Sequence, residues 1–549
     1  MERVNQICNG FSSQLQKLRV RNHEERPFYP NGTARDVFRV DEERMNELFR
    51  TLLSPSDPTD RTISELVRWI LRSASTTLAV ILRIRPSGDS LILREFTDLV
   101  IPNQILLAHP KLTDEDLPIS LSRAEALFPT LASEFFDTQF QFCAITLWKG
   151  GNFVYQDYRS QCPLPYKIQE RIGGGAFGQV YKVKIERGHL RSRADHIGNL
   201  EAQWLARKDF RRQQSFTVEL HALKEIMKKP QKHDNLVMVL AVLQYQDTNS
   251  LFFPLADCDL HQYLNGKYRG DQPAPVTLEE KSTIFRRGVA LAGALAFLHG
   301  GLGGTVCLHL DLKPNNVLVY DAYHPDKEIW KITDFGLARV RDREYSSVAP
   351  EVQGIYLPPE CGAPDGQVTT QSDVWSFGCI FSLIITYMVH GSRGVQKFTE
   401  KRGELPEGDF FYVTAKNSMS RVAPAVKAWF DHLKKSTFRD ERESRLIRET
   451  LDYLLRNVLR PIRRQRALAK DVELSLKSIH DSCIYQASPC APSRSQETSK
   501  HRSFSERLVV RLKHRMSEAP VARLKHFRYN FGTNGYGFRF SPLEGSARR

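Results

Sequence analysis

The sequence predicts an α+β fold with two lobes, a small β-rich lobe followed by a larger helical lobe. Strand-like runs on both sides of a glycine cluster, between about 166 and 185, indicate the small lobe. A helical pattern over about 278–300 opens a mainly helical region that reaches about 480 and indicates the large lobe. A mainly helical domain is expected in front of the two lobes, and a basic, disordered tail is expected behind them.

The chain of 549 residues divides into four predicted segments. The first is polar and irregular, which predicts a flexible N-terminus over 1–40. ERMNELFRTLL and ISELVRWILRSA space their apolar residues at three and four, and they predict a helical domain over 41–162 that ends at the Pro-rich CPLPY. Within this domain TTLAVILRI fits either a strand or a helix, and FCAITLWKG fits one or two strands. The two lobes occupy 163–482, and the tail occupies 483–549.

Composition excludes several classes of protein. The hydrophobic share of 41% is enough to build real cores. The nine cysteines include no C-x-x-C pair, which argues against a zinc site and for reduced thiols in the cytoplasm or nucleus. The N-terminus shows no signal-peptide pattern. The most apolar run, FGCIFSLIITYMV, is shorter than the roughly 20 residues that span a bilayer, so no membrane span is expected.

The formal net charge of +15 is concentrated in the tail, where thirteen Lys or Arg and four Glu give +9 between 485 and 549. The rest of the chain is only mildly basic, so nucleic acid is not expected as a partner apart from a weak contact by the tail. RLVVRLKHRM and FRYNFGTNGYGFRF also fit contacts with an anionic membrane, RNA or a partner protein. A mobile, solvated tail is the favoured interpretation.

The glycine cluster IGGGAFGQV at 172–180 has the G-x-G-x-x-G-x-V spacing of a loop that cradles nucleotide phosphates. Glycines allow the backbone to approach a phosphate closely, because they carry no Cβ. A glycine cluster alone is as often a plain turn, but this one lies between two strand patterns, which favours phosphate binding. The predicted nucleotide-binding residues of the loop are Ile172, Gly173, Gly174, Gly175, Ala176, Phe177, Gly178, Gln179 and Val180.

A lysine and a glutamate complete the predicted nucleotide site. Lys208 ends the strand-like run WLARKDF, at the place where a lysine would contact the α- and β-phosphates of ATP, although most lysines are simply solvated. Glu219 lies on the helix pattern that follows and is the predicted ion-pair partner of Lys208. Glu225 is the competing choice, and it points in a different direction because it lies six positions further along the same helix.

The stretch LHLDLKPNNVLV at 308–319 contains the predicted catalytic residues. Asp311 is placed to accept the proton of a substrate hydroxyl, and Lys313 is placed to neutralise charge on the transferred phosphoryl group. Asn316 and the Asp334 of KITDFGLA offer the hard oxygen ligands that Mg²⁺ prefers. These residues therefore predict phosphoryl transfer from ATP with Mg²⁺ as the metal cofactor.

Taken in this order, the motifs resemble those of the eukaryotic protein kinase superfamily over about 166–480. YLPPE at 356–360 and DVWSFG at 373–378 extend the resemblance, and Arg466 is the implied partner of Glu360. The form D-L-K-P-x-N resembles serine/threonine kinases, so a serine/threonine-protein kinase that acts on protein substrates is implied. The helical N-terminal domain, LPYKIQERIGGGAFGQVYKVKI and LFFPLADCDLHQYL resemble, more narrowly, a group of filamentous-fungal protein kinases.

Leu310 departs from the family pattern, which usually has an arginine before the catalytic aspartate. That arginine commonly pairs with a phosphorylated residue of the activation loop, and leucine cannot form such a bond. The expectation is an active kinase that does not need activation-loop phosphorylation through this contact, although Tyr345, Ser346 and Ser347 lie in that loop.

Two further departures concern the small lobe. The basic insertion ERGHLRSRADHIGNLEA lengthens the connection before Lys208, at a mild thermodynamic cost. MKKPQK lengthens the turn after the helix of Glu219 and weakens that assignment.

Besides a protein kinase, two other functions stay open. A pseudokinase scaffold, binding nucleotide or partners without efficient catalysis, would need a lost lysine or aspartate. A small-molecule kinase would usually lack the segment from YLPPE to DVWSFG.

Overall fold

The structure, a computed structural model, places a helical N-terminal region in front of a two-lobed region. It describes residues 2–54, 59–100, 111–150, 161–175, 178–192, 199–268, 270–342, 347–348, 354–362, 366–404, 408–414 and 420–485. The predicted basic tail, from 486 onwards, lies outside the described residues.

The N-terminal region is built from helices around one hydrophobic core. Its helices are α1 (Glu2–Leu18), α2 (Thr33–Val40), α3 (Glu42–Leu53), α4 (Asp60–Ser73), α5 (Ser75–Ile84), α6 (Ser90–Val100), α7 (Leu121–Leu127) and α8 (Ala132–Gln139). Its strands are β1 (Val20–Arg21), β2 (Pro27–Phe28) and β3 (Leu147–Trp148), of which β1 and β2 pair as a hairpin. TTLAVILRI thus forms helix α5, and FCAITLWKG contributes the short strand β3.

The first 40 residues belong to this core, so the expectation of a flexible N-terminus over 1–40 is wrong. The buried residues of α1 are Val4, Ile7, Cys8, Phe11, Ser12 and Leu15. They recur at the three- and four-residue spacing of one helix face. Phe38 of α2 packs edge-on against Phe11, with ring centres 5.2 Å apart. Polar residues on the opposite face of α1 dominate its composition, so the segment appears polar and irregular in the sequence.

The small lobe follows. Its strands are β4 (Tyr166–Gly174), β5 (Gly178–Ile185), β6 (Leu190–Arg191), β7 (Gln203–Phe210), β8 (Ala241–Tyr245) and β9 (Thr248–Pro254), and its helix is α9 (Gln213–Met227). Five of the strands form an antiparallel sheet in the order β4-β5-β7-β9-β8. Helix α9 covers one face, where Phe216 packs against Phe210 of β7 at 5.4 Å between ring centres.

The N-terminal region covers the other face of this sheet. Val242 and Leu251 pack in the core that contains α9, whereas their neighbours Leu243 and Phe252 pack in a separate cluster with Leu147 of β3. This division follows from the strand period, which sends successive side chains to opposite faces. Strand β6, inside the basic insertion, pairs with β3 in parallel. The insertion is therefore part of the contact between the two regions.

The large lobe is mainly helical. Its helices are α10 (Leu260–Leu264), α11 (Leu278–Gly300), α12 (Thr370–Gly403), α13 (Pro424–Lys434), α14 (Glu441–Tyr453) and α15 (Ala469–Ile484). Its short strands are β10 (Cys258–Asp259), β11 (Thr305–Leu308), β12 (Val317–Tyr320), β13 (Ile329–Ile332), β14 (Arg339–Asp342), β15 (Ser347–Val348), β16 (Gln367–Val368), β17 (Tyr412–Thr414) and β18 (Ser420–Val422). Helix α12 breaks at Gly391, which has φ of 64° and where a Cβ would collide with the backbone of Gln272.

Helix α12 is the central helix of this lobe. Among the described residues it is the helix long and apolar enough to cross a membrane by length and composition, and 89% of its most apolar stretch is buried inside the fold. Its Phe381 packs edge-on against Phe285 of α11, with ring centres 5.3 Å apart. The apolar run FGCIFSLIITYMV lies within this buried helix.

Candidate active site

The glycine-rich loop joins β4 to β5. Gly173 lies opposite Val180 and Gly174 opposite Gln179, and the amide of Gly175 donates to the carbonyl of Gly178 at 3.0 Å. Of the predicted nucleotide-binding residues, Ala176 and Phe177 lie outside the described residues, and Ile172 is half-exposed on β4. A Cβ on Gly178 would collide with the carbonyl oxygen of Asp209 on β7, so glycine is required for this close approach.

Lys208 forms ion pairs with two carboxylates, that of its predicted partner Glu219 and that of the predicted metal ligand Asp334. Its Nζ lies 2.6 Å from Oε2 of Glu219 on α9 and 2.8 Å from Oδ1 of Asp334. Val180, in the glycine-rich loop, pairs with Lys208 in the register of β5 and β7. Glu225 instead contacts Lys228, 2.5 Å away on the same helix. Of the two glutamates, the structure thus brings Glu219 to Lys208.

The charges of this cluster depend on one another. Burial raises the pKa of the Glu219 carboxyl to about 7, against the opposing attraction of Lys208. Burial also disfavours the charge on Lys208, but Glu219 and Asp334 outweigh it and raise the pKa of the lysine. For Asp334 the penalty of burial is likewise exceeded by the attraction of Lys208, and its pKa is lowered. A charged lysine therefore bridges the small lobe and the large lobe.

The catalytic loop runs between β11 and β12. Lys313 Nζ lies 2.8 Å and 3.0 Å from the two carboxylate oxygens of Asp311. Asn316 sits on a short turn, Pro314–Asn316, and its Nδ2 donates to the carbonyl and to Oδ2 of Asp311 at 2.8 Å and 3.0 Å. The structure thus brings the three predicted catalytic residues into one hydrogen-bonded group. Lys313 and Asn316 fix the orientation of the Asp311 carboxylate.

Asp373 of α12 holds the catalytic loop in place through its carboxylate. It is fully buried and accepts the backbone amides of His309 and Leu310, each at 2.9 Å. His299 Nε2 lies 2.9 Å from the same carboxylate. Burial would raise the pKa of Asp373, but the bond from His299 and the other donors lower it. Sequence reasoning assigned no role to this aspartate, although it opens the quoted motif DVWSFG.

His309 links the catalytic loop to the predicted metal ligand Asp334. Its Nε2 bonds to the carbonyl of Thr333 at 2.8 Å, and its ring lies 5.2 Å from the ring of Phe335. Asp334 itself has φ of 64°, a left-handed conformation that is strained for a residue with a Cβ. The contacts on both sides of Asp334 hold it in this conformation.

The side-chain oxygens of Asn316 and Asp334 fit a magnesium ion. The amide of Thr333, next to Asp334, donates to the carbonyl of Asn316 at 3.0 Å, so the two ligand segments are neighbours. One carboxylate and one amide carbonyl suit Mg²⁺, which uses one or two protein oxygens and takes its remaining ligands from water and phosphate.

Leu310 lies in a small apolar cluster. Its side chain is buried together with Val306, Leu308 and Val368, and Leu337 packs against them. Its φ is 62°, so this leucine adopts a left-handed conformation that the two bonds to Asp373 help to hold. The leucine completes a hydrophobic contact at a position where the family pattern has a cation.

Glu360 and Arg466 form the implied ion pair, and the prediction for these two residues is confirmed. The two guanidinium nitrogens of Arg466 each lie 2.7 Å from one oxygen of Glu360, a bidentate geometry. Ser372, at the start of α12, donates to the same carboxylate at 2.8 Å. The pair ties YLPPE to the base of the large lobe.

Comparisons with known proteins show the family of the chain. The family model of the protein kinase domain matches residues 166–472, more than half of the chain. The chain belongs to the protein kinase family. A search of curated proteins finds cyclin-dependent kinase 14 of Xenopus tropicalis, 29% identical over 218 residues that cover 39% of this chain and 44% of that protein. The human protein of the same name is 28% identical, over 39% of this chain and 40% of its own length. The chain therefore spans less than half the length of the curated relatives that it matches.

Proposed function

We propose that this protein kinase transfers the γ-phosphoryl group of ATP to serine or threonine hydroxyls of protein substrates. The observation that carries the proposal is the pairing of Lys208 with both Glu219 and Asp334, opposite the hydrogen-bonded group of Asp311, Lys313 and Asn316. The group of Lys208, Glu219 and Asp334 suits the phosphates of ATP. The group around Asp311 suits a substrate hydroxyl that loses its proton. The N-terminal helices and the segment that opens the small lobe further support placing the chain with filamentous-fungal kinases.

The chemistry follows from what each side chain can do. The oxygen of the substrate hydroxyl attacks the γ-phosphorus, the bond to the β,γ-bridging oxygen breaks, and ADP leaves. Asp311 takes the hydroxyl proton, and Lys313 offsets the negative charge that spreads over the transferred group. Lys208 binds the α- and β-phosphates, and Glu219 keeps the lysine in place. Asn316 and Asp334 would hold Mg²⁺, which neutralises phosphate charge when bound.

We further propose that the activation loop does not need a phosphate that binds at position 310. Leu310 faces Val306, Leu308 and Val368, none of which can donate a hydrogen bond from its side chain. A phosphate placed against these side chains would lose hydration without gaining a hydrogen bond from them. Of the three candidate phosphorylation sites, Tyr345 and Ser346 lie outside the described residues, and only the backbone of Ser347 is described.

The test is a transfer assay with labelled ATP, Mg²⁺ and a generic protein acceptor. The wild-type chain should label serine or threonine of the acceptor, whereas Asp311→Asn and Lys208→Met should label it far less. Absence of label above these two controls, with folded protein, would favour the pseudokinase scaffold instead. Label on a small molecule rather than on protein would favour the small-molecule kinase.

A further inference from the structure

The N-terminal region packs against the outer face of the small-lobe sheet. A shared cluster buries Phe140, Ile145 and Leu147 of the N-terminal region with residues of β4, β5, β7, β8 and β9. Backbone bonds join the two regions as well: the amide of Ile145 donates to Pro163 at 3.0 Å, and that of Leu147 donates to His189 at 2.8 Å. This packing forms a hydrophobic cluster of its own in which Leu147, Ile185 and Phe252 are fully buried, as in the interior of a domain.

The hairpin of β1 and β2 contacts the start of β4. The amide of His23, in the turn of the hairpin, donates to the carbonyl of Tyr166 at 3.1 Å. The His23 ring stacks on the Tyr166 ring, with centres 4.8 Å apart and planes inclined by 27°. Asn22 Nδ2 donates to the carbonyl of Leu164 at 3.3 Å. A residue of the N-terminal region thus covers one face of the Tyr166 ring.

Arg207 lies behind this stack, in the middle of β7. Its guanidinium is buried between two rings, 5.1 Å from the centre of Tyr166 and 4.8 Å from the centre of Tyr181. It donates to the hydroxyl of Tyr166 and pairs with Asp209 at 2.7 Å. Ser250 Oγ on β9 donates to the other oxygen of Asp209 at 2.7 Å. Arg207 therefore has its position fixed by three strands of the sheet.

Both parts of the nucleotide site are next to Arg207. Lys208 is the following residue, and it faces the opposite side of the sheet because successive side chains of a strand alternate. Asp209, the ion-pair partner of Arg207, lies against Gly178 of the glycine-rich loop. Tyr181, which covers the other face of Arg207, donates its hydroxyl to Gln179. Arg207 is thus next to Lys208 in the strand, and its partners Asp209 and Tyr181 contact Gly178 and Gln179 of the glycine-rich loop.

We propose that Arg207 is a positioning residue for Lys208, and that His23 of the N-terminal region completes its support through Tyr166. Arg207 does not reach the nucleotide pocket itself. Its stacked and paired guanidinium fixes the lateral position of β7, and so the direction from which Lys208 reaches the phosphates. The inference rests on the proposed function, in which Lys208 binds the phosphates of ATP. It makes the N-terminal region part of the nucleotide site of this kinase.

A matched control exists at the same interface. Arg187, in the basic insertion, pairs with Asp36 of α2 at 2.7 Å, and both side chains are partly exposed. Arg187→Met therefore removes an arginine contact between the same two regions without touching Tyr166 or β7. Arg207→Met and Arg187→Met are compared in the full chain, together with His23→Ala and His23→Phe, the second of which keeps an aromatic ring over Tyr166.

Three quantities are measured for each variant: kcat and KM for ATP in the transfer assay, and the Kd of ATP with Mg²⁺ by calorimetry. Arg207→Met should raise both KM and Kd by about tenfold, since displacing a binding group by about 1 Å is costly. His23→Ala should raise them by about threefold, in line with the loss of one aromatic stack. His23→Phe and Arg187→Met should stay within about twofold of the wild type.

The split between KM and kcat separates positioning from mere stability. A variant that only reduces the folded fraction lowers the apparent kcat and leaves KM and Kd unchanged, and this result for Arg207→Met and His23→Ala would overturn the inference. If Arg207→Met does not fold, as judged by circular dichroism, the pair of His23 variants decides by the same criterion. If the wild type binds ATP without transferring phosphate, the proposed function fails, and the positioning inference stands or falls on Kd alone.

Discussion

The two halves of the active site are held in different ways. In the large lobe, the catalytic loop of Asp311 and Asn316 is fixed by residues of the same lobe, above all by Asp373 and His309. In the small lobe, the strand of Lys208 is backed by a region that lies before residue 166, where the match to the kinase family begins. The catalytic loop is therefore held within the large lobe, whereas the strand of Lys208 packs against a part of the chain outside the family match.

Removing the anchor of the large-lobe half should have the largest effect. Asp373→Ala leaves the amides of His309 and Leu310 unpaired in the interior, so kcat should fall by at least about 100-fold. The free energy of unfolding should fall by about 3–5 kcal/mol, as for the loss of one buried charged partner. Kinetics and urea unfolding measure the two effects.

The matched control for this variant is Asp431→Ala on α13, whose side chain is 65% exposed and lies 4.0 Å from Lys434. It should change stability by less than about 0.5 kcal/mol. Equal effects of the two aspartate variants would show that Asp373 is not the anchor of the catalytic loop.

Breaking the buried pair of Glu360 should cost stability more than chemistry. Arg466→Met leaves the Glu360 carboxylate without its bidentate partner, and the free energy of unfolding should fall by about 3–5 kcal/mol. Arg456→Met is the control, because Arg456 is 74% exposed and its pair with Asp452 is worth less than about 1 kcal/mol. Urea unfolding of the two variants, side by side, should separate them clearly; similar midpoints would contradict the account.

The contact between the N-terminal region and the small lobe should weaken in acid through His189. Its Nε2 accepts the amide of Asn31 at 3.0 Å, and its Nδ1 bonds to the carbonyl of Ile145 at 3.1 Å, so the neutral ring is required. Burial lowers the pKa of His189 from its ordinary value of 6.5 to about 4. At pH values between about 4 and 6.5, His189 therefore binds a proton in the unfolded chain but not in the folded chain.

The contribution of neutral His189 to the free energy of unfolding is fully present above pH 6.5. It is lost as the pH falls towards 4, by an amount on the order of 3 kcal/mol. Urea unfolding at several pH values measures this slope. His189→Gln cannot titrate, so its stability should depend less on pH over the same window; an unchanged slope would show that another group is responsible.

The smallest effect is expected at the activation loop. Tyr345→Phe, Ser346→Ala and Ser347→Ala together remove its candidate phosphorylation sites, and kcat/KM should stay within about twofold of the wild type because Leu310 offers no partner to a phosphate. The transfer assay on the triple variant measures this. A loss of activity by an order of magnitude would mean that another cation near the loop binds a phosphate.

The difference between the two halves also explains what the sequence could predict. The glycine-rich loop, Lys208, Asp311 and Asp334 lie in short motifs whose spacing limits their geometry, so their contacts could be anticipated. The role of His23 could not, because its neighbours are set by packing between segments more than 140 residues apart, as the bond from Asn22 to Leu164 illustrates. The role of Arg207 depends on the rings of Tyr166 and Tyr181 on neighbouring strands, and no short motif indicates those contacts. For the basic insertion the sequence predicts only a mild thermodynamic cost, since nothing in it indicates that β6 pairs with β3.

The most direct test of the account compares nucleotide binding with phosphoryl transfer in two variants, one from each half. Lys208→Met should weaken the binding of ATP with Mg²⁺ and also slow transfer, because Lys208 holds the phosphates. Asp311→Asn should leave the Kd of ATP within about twofold of the wild type and abolish transfer, because Asp311 accepts the proton only during the reaction. Loss of ATP binding in Asp311→Asn, or full transfer by either variant, would contradict the division of work between the two halves.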